Sequence, residues 1–252
     1  MRVSVVLVLS LCSVTHTTAS TVLVFISPQE AVIAADSLST RLEGGHSRLA
    51  CKIVQVSNHM LFVSTGIGIA ENPPFDPYDL ARISSTYSRN PNEAALKYES
   101  AALGPLMRVW RAGRSRYMKI EKAGGVKASG GHHPHGFVFV GLDQNGNVSV
   151  AGTDFVEDST TLHNLRAKDL LEFTGKNLNE ISIVRLGVQD SVPSEAAIQA
   201  WIYTDKMGVP AALKRGIELQ IKATPNVVGP PISIVRFLRD GSIDWVSRGV
   251  CQ

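Results

Sequence analysis

The chain has 252 residues, 44% of them hydrophobic and 19% charged, which supplies one substantial core and excludes a chain disordered by composition. Its 25 basic and 22 acidic residues are interspersed, which argues against nucleic acid or any other polyanion as a partner, because phosphate binding wants Lys and Arg gathered on one face. The basic stretch from Arg108 to Lys122 fits the solvated side of a long helix.

Arg2 precedes an apolar run from Val3 to Val14, and the small residues Thr17, Thr18 and Ala19 follow, which is the pattern of a cleaved export leader. The run falls short of the roughly 20 apolar residues that a membrane span needs, and Ser4, Ser10 and Ser13 interrupt it. Residues 1–19 are therefore expected to be a signal peptide and residues 20–252 a single domain. The mature protein is expected to be secreted or periplasmic, with no membrane span. Cys12 leaves with the leader, and Cys51 and Cys251 remain. Those two either pair or stay free, because sequence does not show whether their Cβ atoms lie roughly 4 Å apart; a free Cys51 would be a small buried hydrophobe.

From Ser20 to Gly68 the pattern alternates. Thr21–Ile26, Ala31–Ala35, Lys52–Val56 and Met60–Val63 are β-rich runs bounded by Ser27-Pro28-Gln29, Gly44-Gly45 and Ser57-Asn58, and they predict two successive hairpins. After Pro73-Pro74 helical spacing predicts helices over Tyr78–Tyr87 and from Asn92 to about Lys119. Gly124 to Gly136 predicts an exposed loop, followed by a hairpin from Phe137 to Val150. Helices are predicted near Leu162–Phe173, from Ser194 to about Lys206 and over Pro210–Ala223, and a last hairpin over Ile232–Val246. Strands and helices stay grouped, which predicts an α+β protein with two sheets and helices outside them.

A cut between Ala19 and Ser20 would place a hydroxyl and a free α-amine on one residue, so the nucleophile would carry its own base. An ammonium at Lys52 would lower the hydroxyl pKa and keep the amine unprotonated, and Asp36 would compensate that buried charge. Gly66 can present a bare backbone N–H to an oxyanion. Taken alone, Lys52 reads as an exposed strand residue, Asp36 as a turn residue and Gly66 as a strand end.

Together, Ser20-Thr21-Val22, Ala34-Ala35-Asp36-Ser37, Cys51-Lys52-Ile53 and Ser64-Thr65-Gly66 resemble proteasome β subunits and their bacterial two-component protease relatives, which are N-terminal-nucleophile hydrolases. The intervals of 16, 16 and 14 residues match that family's nucleophile, aspartate, lysine and oxyanion glycine without a gap. The resemblance implies a four-layer αββα sandwich, amide-bond hydrolysis, a peptide or small amide substrate, no cofactor or metal, and a homo-oligomer as an option. Two features depart from it. The family's usual threonine is replaced by Ser20 in gap-free register, and Thr21 would serve only if the first hairpin were one residue shorter. The residues that orient the amine are missing from Gly187-Val188-Gln189-Asp190-Ser191 and Pro225-Asn226-Val227-Val228-Gly229, where Asp190, Ser191 or Asn226 would have to substitute.

His132-His133-Pro134-His135 reads as a solvated loop in preference to a metal site, because adjacent histidines converge poorly. Asn147-Val148-Ser149 fits a glycosylation acceptor in a eukaryotic host. Two functions remain: an exported amide hydrolase, and a non-catalytic protein that kept the fold for binding or assembly.

Overall fold

The computed structural model describes residues 15–18, 20–41, 48–123, 132–158, 161, 164–168, 171–174 and 182–251. The expectations for residues 1–14 and Ala19, for the Gly44-Gly45 turn and for most of the loop after Gly124 lie outside them.

In chain order the elements are β1 (Thr15–Thr18), β2 (Thr21–Ile26), β3 (Glu30–Asp36), β4 (Leu38–Arg41), β5 (Arg48–Leu49), β6 (Ile53–Ser57), β7 (Met60–Glu71) and β8 (Pro74–Phe75). Two helices follow, α1 (Pro77–Thr86) and α2 (Pro91–Ala123), and then β9 (His135–Leu142), β10 (Val148–Glu157), β11 (Leu165–Ala167), β12 (Leu171–Thr174) and β13 (Ser182–Gly187). The chain closes with α3 (Glu195–Tyr203), α4 (Val209–Ala223), β14 (Ile232–Leu238) and β15 (Ile243–Ser247). One antiparallel sheet runs β13-β2-β3-β14-β15. The other runs β11-β10-β9-β7-β1-β4-β5, with β12 also on β10 and β6 and β8 on β7.

Alternation sorts the apolar side chains. Val22, Val24, Ile33 and Ala35 of the smaller sheet meet Leu61, Val63, Val138 and Val140 of the larger one between the sheets. The intervening Leu23, Phe25, Val32 and Ala34 face Ile198, Leu213 and Ile217 of α3 and α4. On the far side of the larger sheet, Phe62, Phe137 and Phe139 pack against Tyr98, Leu106 and Trp110 of α2. Burial on both faces is why β2 is an unbroken apolar run, all six residues of which are buried.

The regular four-layer αββα sandwich is corrected by this architecture. Among the described residues fifteen strands stand against four helices, in sheets of ten and five strands, so the molecule is sheet-rich and its two halves are unequal. Of the seven strands beyond the eight expected, β1 lies inside the predicted leader, β13 adds an unanticipated edge to the smaller sheet, and β4, β5, β8, β11 and β12 are too short for alternation to reveal and pair because a neighbouring ladder is already in place. Helices α1 and α2 pack on β6–β11, a part of the larger sheet, whereas α4 lies on β2, β3 and β14 with α3 beside it.

The helix predicted near Leu162–Phe173 is likewise replaced by strands, β11 and β12, which pair in turn with one edge of β10. Leu165 joins the core under α2 while Phe173 joins the core between the sheets, and one helical face could not reach both.

Candidate active site

Asp36 ends β3 and is 1% exposed. Its Oδ1 accepts hydrogen bonds from Lys52 Nζ at 2.7 Å and from the Thr21 amide at 2.8 Å. Its Oδ2 accepts from the amides of Leu38 at 3.2 Å and Gly229 at 3.1 Å. One carboxylate therefore ties together the start of β2, the start of β4, the segment before β6 and the turn before β14. Lys52 is also 1% exposed, and its second donor goes to the Leu38 carbonyl at 2.8 Å. Burial holds this ammonium below the ordinary lysine range, against the opposing pull of the Asp36 charge and hydrogen bond. An ammonium has three N–H donors, so a third is left for a reacting group.

Ser20 and Thr21 are both fully buried, yet they are not equivalent. Thr21 has the parity of Leu23 and Phe25, and its Oγ1 donates to the Val188 carbonyl at 2.7 Å. Ser20 has the parity of Val22 and Val24, which point between the sheets, and its Oγ has no hydrogen-bond partner. A buried hydroxyl without a partner is a destabilising feature unless something uses it. The Ser20 carbonyl accepts from the Val188 amide at 2.8 Å, and Gly187 is what allows this approach. Its φ is +78°, and a Cβ there would sit 1.9 Å from the Ser20 carbonyl oxygen.

Gly66 interrupts β7 with φ +83°. It is opposite His135 on β9 and Thr18 on β1. Strand β1 carries the chain up to Ser20 through a slot in the larger sheet, with Thr17 facing Ile67 on one side and Thr40 on the other. The structure thus gathers Thr21 and Lys52 directly on the Asp36 carboxylate, with Ser20 one residue before Thr21, and sets Gly66 on the strand beside the incoming chain.

Asp190, Ser191 and Asn226 are all exposed, so their side chains do not take up positions around the buried Ser20. Main-chain groups of Val188 and Gly229, two or three residues from the expected side chains, contact the Ser20 carbonyl, the Thr21 hydroxyl and Asp36 instead. A backbone group leaves no mark in a residue pattern, which is why these contacts were not legible.

Cys51 and Cys251 form a disulfide with a Cα–Cα distance of 4.8 Å, placing the covalent link next to Lys52. His135 departs from the solvated-loop reading: it is fully buried, its Nδ1 lies 2.9 Å from the Ile67 carbonyl, and its Nε2 lies 2.8 Å from the Tyr98 hydroxyl. His132 and His133 pair separately with Glu121 and Asp154. Among the described residues no group of three or more His, Cys, Asp or Glu is placed to hold a metal, and no helix is long and apolar enough to cross a membrane. In the Asn147 sequence motif, Ser149 is buried and the Asn147 amide donates to Asp143, so the described hairpin leaves this acceptor poorly reachable.

No protein-family model matches the chain, and no curated protein sequence does. A solved structure of the Gly-1 mutant of Anbu from Hyphomicrobium sp. strain MC1, a proteasome-like protein, is similar in fold. It is 16% identical with a TM-score of 0.51, and the match covers 90% of this chain and 87% of that one.

Proposed function

We propose that this protein is an N-terminal-nucleophile hydrolase of peptide or small amide bonds, exported and active once residues 1–19 have been removed, with Ser20 as the nucleophile. The observation that carries this reading is the buried Asp36 carboxylate, which holds Lys52 and the Thr21 amide on one oxygen beside a buried serine hydroxyl with no partner. The freed Ser20 amine, with an unperturbed pKa of roughly 8, accepts the Oγ proton as Oγ bonds to the substrate carbonyl carbon. The carbonyl electron pair moves onto oxygen, where the Gly66 N–H stabilises it. Collapse restores the carbonyl and breaks the C–N bond, and the leaving amine takes the proton from the Ser20 amine. Water then attacks the ester in the same way and returns the serine hydroxyl. Lys52 favours the unprotonated amine and the ionised hydroxyl by its charge.

Strand β1 supports an extended peptide as the substrate, because the chain ahead of Ser20 already pairs through its main chain with both β4 and β7. The likeness to a proteasome-like protein supports a homo-oligomer.

The test is to produce the full chain in an exporting host, measure the intact mass of the product, and expose it to a hydroxyl-directed electrophile such as a β-lactone. A product starting at Ser20 that labels on that residue is expected. Ser20→Ala should abolish labelling, while Thr21→Val should keep it and lose about 1 kcal/mol of stability from the Val188 hydrogen bond. Labelling lost in the Thr21 variant alone would move the nucleophile to Thr21. A second reading, a non-catalytic binding or assembly protein, is favoured by one observation: β1 sits inside the larger sheet as an integral strand. A product that keeps β1 and never labels would establish it.

A further inference from the structure

We infer that His135 is a positioning residue for this reaction, acting through the Ile67 main chain to hold Gly66; the inference rests on the hydrolase reading above. Its imidazole is fully buried, and both ring nitrogens are engaged within the fold. The Ile67 carbonyl can only accept, so Nδ1 carries the proton. Nε2 is then bare and accepts from the Tyr98 hydroxyl. Burial, the largest influence on the ring, keeps it neutral.

Tyr98 is itself fixed, because it is buried on α2 and packs against the rings of Phe62, Phe137 and Phe139. The Phe75 ring meets the imidazole edge to face at 5.5 Å, and Phe155 lies 6.0 Å away. The position of α2 is thereby transmitted through a rigid ring to the Ile67 carbonyl. The Ile67 amide is held from the other side, donating to the Pro134 carbonyl at 2.6 Å. Both peptide planes after Gly66 are pinned by the consecutive residues Pro134 and His135 at the start of β9, and the left-handed turn at Gly66 is set by them. A Cβ on Gly66 would lie 2.1 Å from that same Pro134 oxygen, so the strands touch here without slack. The direction of the Gly66 N–H follows from the turn, and with it the alignment of the proposed oxyanion donor.

The test measures β-lactone acylation of Ser20 in full chains produced and processed as the parent is, separating the acylation rate constant from the reversible binding constant. His135→Leu should lower the rate constant roughly 10- to 100-fold, at or below the loss from deleting an oxyanion donor, with binding within about twofold. His135→Asn, whose amide can donate from near the Nδ1 position, should recover most of the rate. Tyr98→Phe, which removes one hydroxyl and keeps the packing, should lower the rate roughly tenfold and decides the matter if His135→Leu fails to fold. Parent-like rates in Tyr98→Phe, or losses carried by binding instead of rate, would overturn the inference while leaving the hydrolase reading intact. A parent that never labels overturns the hydrolase reading and this inference with it.

Discussion

Asp36 accepts four hydrogen bonds on two oxygens, three of them from main-chain amides and one from Lys52. Replacing the lysine leaves a buried carboxylate that keeps its amide donors and loses its only cationic one. Lys52→Met should therefore fold with stability lowered by about 3 kcal/mol, measurable by urea titration, and with no acylation of Ser20. His135 has the opposite vulnerability. Burial depresses its pKa from 6.5 to about 4, outweighing the Ile67 carbonyl and Asp154, which act to raise it. Between those values the unfolded chain binds a proton that the folded chain refuses, so stability is unaffected above about pH 6.5 and falls as the pH drops, by up to roughly 3 kcal/mol near pH 4. Denaturant titrations across that range should show the slope, and His135→Asn should flatten it. Asp36 and Lys52, which meet at 2.7 Å, stand out with Ser20 and Gly66 only through the resemblance of their intervals to those of proteasome β subunits. His135 does not stand out, because the rings that bury it come from β8, α2 and β10, far away in the chain.

At the scale of elements, the segment after β13 meets the start of β2 through its main chain. Gly187 lets Val188 reach Ser20 and Thr21 with both its amide and its carbonyl. Gly187→Ala should impose the left-handed backbone on a residue with a Cβ and drive that Cβ into the Ser20 carbonyl, so a loss of roughly 3 kcal/mol or more and a fall in acylation are expected. Gly146→Ala is the matched control: its φ is +74° but nothing lies within 4 Å of the added Cβ, so about 1 kcal/mol should be lost with acylation unchanged. Paired thermal melts distinguish backbone strain from collision. The four main hairpins and four of the five expected helices were legible because each has a period and turn residues of its own. β11 and β12 were not, since their conformation is set by the edge of β10 and by two different cores, and their sequence has the spacing of a helix.

Across the whole molecule, the Cys51–Cys251 bond closes a span of 200 residues and fastens the end of the chain to the residue preceding Lys52. A loop of that length is worth up to about 5 kcal/mol in lost unfolded-state freedom. Melting with and without reductant should show a large drop for the parent and none for Cys51→Ser/Cys251→Ser. Composition and grouping revealed the two-sheet plan, whereas the inequality of the sheets was hidden because seven of the ten described strands of the larger one have five residues or fewer and one of its members comes from the apparent leader.

That member, β1, fills the gap between β4 and β7. Its departure would split the larger sheet into two facing edges, each with a row of amides and carbonyls no longer matched, and such rows attract any unfolded strand nearby. The mature protein would then be more prone to aggregate and to swap strands with its copies than its precursor is, and storage as the precursor would be the safer state.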